Sequence, residues 1–518
     1  MHKYTKTLRR TGFLVSCLAL AATGCGVDDS PGRAAAGSGG TAGAGSASGG
    51  ESGTSGAGGH AGSASCGTTD EPDAAGSDEN CDGADGIVGT DVYVSVSGSD
   101  TNPGTPDAPL KTITKALEFA HSRSGRVLVA AGGFDIVAIS QPGDLKVHGG
   151  YPLQFVGKRE ASATSLKASS PEGIVVSEAD SVHFETLTIA GVSAKEATQR
   201  SSQALILDVP NSKLVDVRVI AGDAISGSSG VSGTSGGPGK DGNYSSGTNP
   251  TVCNGKQQPG YTGGVGRGEK NSAGGSPGSC EQKKPAAAGA HGIHGTDGAN
   301  ASPLPTFENG ALRWPDAFDA LDDAQPGFGG AGGGTCKFAA GYGMGSRGGG
   351  SGGCPGTPGT KAESGGGAIG VVVLSGTLVV ERSLIRTGFG GDGGDGGAGG
   401  SGGPGGKSMA PSCPSWLTEC MAFPEIPLLC QPATDPWKVN CAHWGGTGGP
   451  GGDGGHGGGG VGGSTVGILT LGAATSEFDA ATTFELGVPG KGGEGSGGAR
   501  AANGEKRKQW ALAAAGSN

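Results

Sequence analysis

Apolar and polar positions alternate along only part of this chain. A short apolar run, Gly12 to Ala22, follows a positively charged start. From residue 91 to residue 225 short apolar runs alternate with polar positions, beginning with the segment from Asp91 to Gly98. Strict alternation indicates strands with one buried face. Beyond residue 225, long glycine-rich stretches separate a few further apolar runs.

One segment has helical instead of alternating spacing. Between Thr112 and His121 the apolar side chains are Ile113, Ala116, Leu117 and Ala120. These positions fall on one side of an α-helix, so the spacing predicts a short amphipathic helix.

The strand-like runs repeat in a way that indicates a solenoid. They lie at 127–129, 145–147, 174–176, 182–184, 187–189, 205–207 and 217–219. Two of them end in an Ala-Gly pair, at 190–191 and 221–222, a separation of about thirty residues that suits one coil of a right-handed parallel β-helix. Runs at 370–374 with 377–380, and at 466–471 with 483–486, predict two more coils. The predicted fold is all-β: a right-handed parallel β-helix interrupted by Gly-rich insertions.

The glycine-rich stretches have a period of three residues. The chain contains 114 glycines and 29 prolines, a composition that indicates disorder when it has no period. Here glycine recurs every third residue or more often in 227–242, 289–298, 390–406 and 445–458. Three residues per turn is the period of an extended left-handed helix, and bare glycine faces would let such helices pack as polyglycine II. The alternative is a solvated flexible loop, because ordering glycine costs the most entropy.

These differences in composition and periodicity along the chain predict nine segments. They are a signal peptide (1–24), a Gly/Ser-rich tether (25–65), an acidic disulfide loop (66–90), an N-terminal cap with β-helix coils (91–225), a Gly-rich insertion (226–365), a coil (366–388), a Gly-rich and Cys-rich insertion (389–463), a coil (464–490) and a flexible C-terminal tail (491–518).

The N-terminus has the features of an export signal. Its apolar run is about half the length that a membrane-spanning helix needs, so it reads as a secretory signal. The run ends at Ala22-Thr-Gly-Cys25, which resembles the lipobox of bacterial lipoproteins. That resemblance implies cleavage before Cys25, acylation of Cys25 and, with Gly26 following, sorting to the outer membrane. The alternative is ordinary signal cleavage with Cys25 incidental.

Charge and cysteine content narrow the class of protein further. The formal net charge of −11 argues against nucleic-acid binding, which needs clustered Lys and Arg. Of twelve cysteines, Cys17 leaves with the signal and Cys25 would be lipidated. The even number left predicts disulfides in an exported protein. In local groups these are Cys66 with Cys81, Cys253 with Cys280, Cys336 with Cys354, and the set Cys413, Cys420, Cys430 and Cys441.

An acidic motif beside Cys81 predicts a calcium loop. Asp78, Asn80 and Asp82, followed by Gly83 and Asp85, match the first half of a D-x-N-x-D-G loop. The twelfth position is Gly89 instead of Glu, and Asp91 could supply the missing carboxylate. The alternative is a solvated acidic loop closed by a disulfide.

Candidates for catalysis are charged residues on or near the predicted strands: Asp180, Glu185, Asp208, Asp216, Arg218, Arg382 and Arg386. Asp216 and Arg218 would point outward from one strand, as an acid and a base two residues apart. Solvated ion pairs are the alternative. In the Cys-rich insertion, Trp416, Trp437 and Trp444 could stack on sugars or fill a small disulfide-bounded core.

A family resemblance rests on two motifs. The stretch from Tyr93 to Thr105 followed by Pro109 to Ala116, and Gly149-Gly-Tyr-Pro152 with Phe155 and Arg159, resemble bacterial extracellular β-helix proteins of domain of unknown function 1565, within the pectate-lyase-like superfamily. The resemblance implies a first strand, a tight loop and a helix that caps the solenoid. It also implies export, and it implies no particular activity.

Together these observations predict a non-enzymatic, surface-anchored lipoprotein with a structural, adhesive or polysaccharide-binding role. The expected location is the outer membrane or cell surface. Expected partners are the membrane, through the lipid on Cys25, and a polysaccharide or extracellular matrix; calcium is the one candidate cofactor. The alternatives are a carbohydrate-active enzyme on the same scaffold and an ice-binding protein.

Overall fold

The computed structural model describes residues 66–242, 252–253, 256–257, 286–308, 311–325, 328, 348–408 and 445–513. Within these residues no helix is long and apolar enough to span a bilayer. The predicted signal, tether and Trp cluster lie outside them.

The N-terminal half contains the cap and the first coils. Its elements are β1 (Val92–Val94), α1 (Ile113–Arg123), β2 (Val127–Ala130), β3 (Gly132–Ile136), β4 (Ala138–Ser140), β5 (Asp144–Tyr151), β6 (Thr164–Ala168), β7 (Ile174–Ser177), β8 (Ser181–Glu185), β9 (Thr188–Ala190), β10 (Ser202–Val215) and β11 (Arg218–Ile220).

The remaining strands are fewer and more widely spaced along the chain. They are β12 (Val252–Cys253), β13 (Lys256–Gln257), β14 (Thr306–Glu308), β15 (Ala311–Arg313), β16 (Ala368–Glu381), β17 (Leu384–Arg386), β18 (Thr465–Leu471), β19 (Thr475–Phe478), β20 (Thr483–Glu485) and β21 (Lys506–Leu512). A 3-10 turn covers Ser496–Gly498.

Two parallel sheets form the solenoid and confirm the predicted fold, a right-handed parallel β-helix. Sheet 1 has the order β1-β2-β5-β8-β10-β16-β18-β21, with β4, β7 and β19 beside this path. Sheet 2 has the order β20-β17-β11-β9-β6-β3. The strands β12–β13 and β14–β15 form two antiparallel hairpins outside the solenoid.

The hydrophobic core lies between the sheets and is built by stacking equivalent residues of successive coils. Val147, Phe184, Leu214 and Val380 occupy one row of sheet 1 and all are buried. Because side chains alternate along a strand, the residues between them face outward. This row explains why the apolar-polar alternation predicted the strands correctly.

Helix α1 closes the N-terminal end of the core, as the sequence predicted. Its buried residues are Ile113, Ala116, Leu117 and Ala120. Thr112 caps the start by accepting a hydrogen bond from the Lys115 N–H, and Ser124 ends the helix in the left-handed region. The cap covers apolar side chains that the first coil would otherwise expose to water.

The glycine-rich stretches are ordered neighbours, joined by a ladder that repeats every third residue. We define glycine segments 1 to 4 as residues 225–242, 348–366, 389–407 and 445–463. Segment 1 donates to segment 3 from Gly227, Gly230 and Gly233. The N–H groups of Gly397 and Gly400 in segment 3 donate to segment 2. Segment 4 donates to segment 3 from every third residue in the same way. One donor per three residues is the spacing of helices with three residues per turn.

The glycine ladder continues the solenoid without a break. After β11, the N–H groups of Ala221, Ala224 and Gly227 donate to Arg386, Phe389 and Asp392. The same separation of 166 residues relates Asp216 to Arg382 in the coils and Ser226 to Asp392 in the glycine segments. Where the structure describes them, the predicted insertions are therefore outward extensions of the coils.

Close backbone approach explains why glycine recurs. A Cβ on Gly397 would lie 2.1 Å from the carbonyl oxygen of Val231, and one on Gly400 would lie 1.9 Å from that of Thr234. No side chain can occupy that space. Pro404 and Pro450 stand at positions between the glycines, where a φ fixed near −65° suits an extended left-handed helix.

The prediction of a flexible C-terminal tail is wrong in part. Residues 506–512 are not a flexible tail: they form β21, which pairs with β18, and Trp510 is buried beside Leu469. The charged residues of β21 obscured the strand because its outer face is exposed to solvent.

Local disulfide pairing holds for Cys66–Cys81 but fails for the next pair. Cys253 bonds to Cys354, 101 residues away. Segments 1 and 2 run antiparallel, and the Cys354 N–H donates to Gly237, so cysteines distant in sequence meet. The predicted partners Cys280 and Cys336, and the four cysteines from Cys413 to Cys441, lie outside the described residues.

The glycine ladder makes a testable prediction about single methyl groups. Gly397→Ala should lower the free energy of unfolding by at least about 2 kcal/mol, because the new Cβ overlaps a backbone carbonyl that cannot move freely. Gly237→Ala is the matched control, since its Cβ would meet only the Cys354 sulfur at 4.0 Å. We expect a change within about 0.5 kcal/mol there. Urea unfolding of both variants measures the difference; equal effects would contradict the close-packing account.

Candidate functional site

Charged and imidazole side chains cluster on part of the outer face of sheet 1. His148 on β5 lies in register with Glu185 on β8, and His183 lies two residues before Glu185. Positions two apart on a strand share a face, so the three side chains converge. On the next strand, Lys213 is in register with His183 and pairs with Glu381 at 2.9 Å.

The turns that directly follow strands of sheet 1, here called corners, adjoin this face and have strained backbone. Thr186, Asp216 and Arg382 follow β8, β10 and β16 and have φ values of 49°, 53° and 48°. Left-handed backbone is costly for a β-branched or long side chain, and such strain gathers at functional sites. The corner also corrects one expectation: Asp216 and Arg218 do not share a strand, because the chain turns at Asp216 before β11 begins.

A cleft of about 450 Å³ opens at these corners. Its walls come from successive coils, and its polar lining is Arg159, Thr186, Asp216, Arg218, Arg382, Ser383 and Thr483. Asp216 is held by Arg382, whose Nη2 lies 2.8 Å from Oδ2. The buried Nε of Arg218 has no hydrogen-bond partner. The cleft therefore combines arginines and hydroxyls with a carboxylate that already has a partner.

Arg159 links the cleft to the imidazole pair. Its side chain is wholly buried, and its Nη1 lies 3.1 Å from Glu185 Oε1. The other oxygen of Glu185 faces both histidines: Oε2 is 3.2 Å from His148 Nδ1 and 3.7 Å from His183 Nε2. The two imidazole rings meet edge to face at 5.5 Å. Among the described residues, these three side chains form the one group of His, Cys, Asp or Glu ligands within 4.8 Å of one another.

The electrostatic environment keeps Glu185 ionised and both histidines neutral. Burial alone would raise the pKa of Glu185, but His148, Arg159 and His183 outweigh it and lower the pKa to about 2. Burial lowers the pKa of His148 although Glu185 opposes the shift. Burial and the neighbouring His148 lower the pKa of His183. The cluster is thus one carboxylate facing two uncharged imidazoles near neutral pH.

A second buried layer supports Arg159 from the N-terminal side. The guanidinium lies 4.7 Å from the ring centre of Tyr151, whose hydroxyl donates to Asp85 Oδ2 at 3.0 Å. Burial raises the pKa of Asp85 to about 6 and that of the neighbouring Asp70 to about 7. This layer joins the acidic disulfide loop to the first coils.

The residues of the predicted calcium loop do not all lie together in the structure. Asp78 accepts from the N–H groups of Asp82 and Gly83, and Asn80 donates to Asp82. These residues share one exposed turn. Asp85 is instead buried against Tyr151, and Asp91 is paired with Arg126 at 2.7 Å. Calcium binding by Asp78, Asn80 and Asp82 stays a prediction, and Asp85 and Asp91 have other partners.

The sequence analysis named several of the cleft residues but neither histidine of the imidazole pair. Asp216, Arg218 and Arg382 were candidates and do meet in the cleft, whereas Arg386 pairs with Glu485, and Asp208 with Ser375. His148 and His183 were missed. Their outward positions in alternating strands were the available signal, but the register that joins β5 to β8 was needed to place them together.

Comparison with known proteins supports the family resemblance over a short region. A family model described as a protein of unknown function (DUF1565) matches residues 96–140, the stretch that runs from the loop after β1 through α1 to the end of β4. No curated protein and no solved structure gives a significant match.

The buried Asp85 predicts a specific pH dependence. Its pKa is higher in the folded chain than in the unfolded chain, so folding stability falls as pH rises from about 4 to about 6. Asp85→Asn keeps an acceptor for Tyr151 and removes the charge. The stability of the variant relative to the natural chain should rise by about 2 kcal/mol between pH 4 and pH 7. Urea unfolding at both pH values measures this; a constant difference would contradict it, and the exposed Asp107→Asn is the control.

Proposed function

We propose that this protein is an exported, lipid-anchored scaffold that binds an anionic polysaccharide along the corner cleft of its β-helix. The observation that carries the proposal is the cleft lining: Arg218 and Arg382 together with hydroxyl groups of successive coils. The chain as a whole is acidic, so a cluster of arginines at one cleft is a local feature.

The geometry of the coils supports an extended ligand. Neighbouring parallel strands are about 4.8 Å apart, so equivalent side chains of successive coils form a regular row. Arginine presents a planar fork that matches a carboxylate or sulfate, and hydroxyl groups suit sugar hydroxyls. A chain of acidic sugars would exchange the contact between Arg382 and Asp216 for contacts with its own anions.

The glycine segments support the structural part of the proposal. We infer that they form a polyglycine-II bundle, since the donors recur every third residue and prolines occupy intervening positions. Such a bundle extends the solenoid sideways without a large apolar core. It would present the cleft on a stiff body at a distance from the membrane.

A carbohydrate-active enzyme is the second candidate, favoured by the strained backbone at Thr186, Asp216 and Arg382. A general base must be free to take a proton. The Asp216 carboxylate is engaged by Arg382 through both Nε and Nη2. This engagement favours binding over turnover.

The cleft arginines provide the first test. Arg218→Gln and Arg382→Gln combined should weaken binding of a uronic-acid polymer at least about tenfold, because each charge-assisted hydrogen bond contributes about 1.5–3 kcal/mol. Affinity is measured by calorimetry on polygalacturonate and alginate oligomers, and released product is followed in parallel. Product release would favour the enzyme.

Arg386→Gln is the matched control for this test. It also breaks an exposed arginine–carboxylate pair, with Glu485, and its side chain is 48 % exposed against 53 % for Arg382. Because Arg386 does not line the cleft, binding should be unchanged. Equal weakening in control and cleft variants, or no binding of anionic polymers by the natural chain, would refute the cleft as the binding site.

The lipid anchor gives a separate prediction. Cys25→Ser removes the thiol that would be acylated, so the variant should lose incorporation of labelled palmitate in a bacterial host and leave the membrane fraction. A single acyl chain gives only marginal anchoring, and a lipoprotein carries more than one. Unchanged membrane association of Cys25→Ser would contradict the anchor and favour ordinary signal cleavage.

A further inference from the structure

We propose that His148, His183 and Glu185 form a binding site for one divalent transition-metal ion, with zinc as the best match. The site lies on the outer face of sheet 1, beside the cleft. Its three ligands are not part of the cleft lining, although Arg159 contacts Glu185 and also lines the cleft.

The spacing of the ligand atoms fits a zinc ion. Zinc binds histidine nitrogen and carboxylate oxygen at about 2.0–2.2 Å, which places neighbouring ligands of a tetrahedron about 3.3–3.6 Å apart. Glu185 Oε2 lies 3.2 Å from His148 Nδ1 and 3.7 Å from His183 Nε2. These distances bracket the tetrahedral value, and the three ligand atoms all lie within 4.8 Å.

The imidazole nitrogens of the cluster are poorly satisfied within the protein. Nε2 of His148 and Nε2 of His183 are buried without a hydrogen bond, and Nδ1 of His148 lies 3.2 Å from Glu185 Oε2 without good hydrogen-bond geometry. Buried polar groups without partners are rare in folded proteins and call for an explanation such as a bound ion. A metal between the rings and Glu185 Oε2 would satisfy one nitrogen of each ring.

Arg159 acts as the residue that orients the carboxylate. It contacts Glu185 Oε1 and so leaves Oε2 directed at the histidines. Its Nε donates to Gly149 O at 3.0 Å, and Nη1 also lies 3.3 Å from Asp73 O, whereas Nη2 has no hydrogen-bond partner. Outer contacts of this kind fix the ligands of metal sites.

The exposure of the three ligands indicates an open coordination position. The side chains of His148, Glu185 and His183 are 7 %, 19 % and 29 % exposed, so solvent reaches the cluster from the His183 side. Two histidines, one carboxylate and an open position are the donor set of many catalytic zinc sites. Lys146 and Lys213 flank His183 in register, and their charge would favour an anionic fourth ligand.

Zinc binding to the purified chain tests the proposal. Calorimetry with zinc chloride at pH 7.5 should show one tight site, and His183→Gln should weaken it at least about tenfold, since loss of an outer contact alone costs that much. His121→Gln, which changes a histidine on α1, is the control and should bind like the natural chain.

A spectroscopic measurement on the natural chain removes any dependence on folding of the variant. Cobalt(II) added to the metal-free chain should give the intense visible bands of a four- or five-coordinate ion with nitrogen and oxygen ligands, and one equivalent of zinc should abolish them. Absence of such bands, absence of a zinc site, or equal affinity in the His183→Gln and His121→Gln variants would overturn the proposal.

Discussion

Backbone hydrogen bonding between successive coils is the constraint on which the rest of this structure depends. The strands of sheets 1 and 2 pair in parallel, in register, over insertions as long as the one between β10 and β16. The edge strand of a parallel sheet has unpaired N–H and C=O groups. Each added coil pairs with them only if its strand runs in the same direction as the strand before it. The insertions obey the same rule: segments 1 and 3 keep the separation of 166 residues that relates the coils they extend.

The glycine segments show how a large body can form with few aromatic side chains. Ordering each residue costs about 1–2 kcal/mol of backbone entropy, and glycine loses the most. Hydrogen bonds offset this entropy cost, because they satisfy buried N–H groups such as those of Gly397 and Gly400 in a water-poor interior. The Cys253–Cys354 bridge, which closes a loop of 101 residues, offsets part of the entropy by restricting the unfolded chain.

The same coil geometry places polar chemistry on the outer surface. An alternating strand that buries Val182 and Phe184 must expose His183 and Glu185 on its other face. The corner that ends each strand of sheet 1 then directs Asp216 and Arg382 into one cleft. Arg159, which arrives from the loop after β5, contacts Glu185 and also lines the cleft. A binding surface and an imidazole cluster thus share one buried guanidinium.

The sequence by itself determined what depends on neighbours close along the chain. Alternation predicted the strands, helical spacing predicted α1, and the glycine period predicted three residues per turn, because each reflects local backbone geometry. Only the tertiary structure decided which distant segments meet. The joining of His148 to His183 and Glu185, the Cys253–Cys354 bridge and the pairing of β21 with β18 all depend on the register between coils. No local pattern encodes that register, since it is set by the hydrogen-bond ladder and by how far each insertion extends before the chain returns.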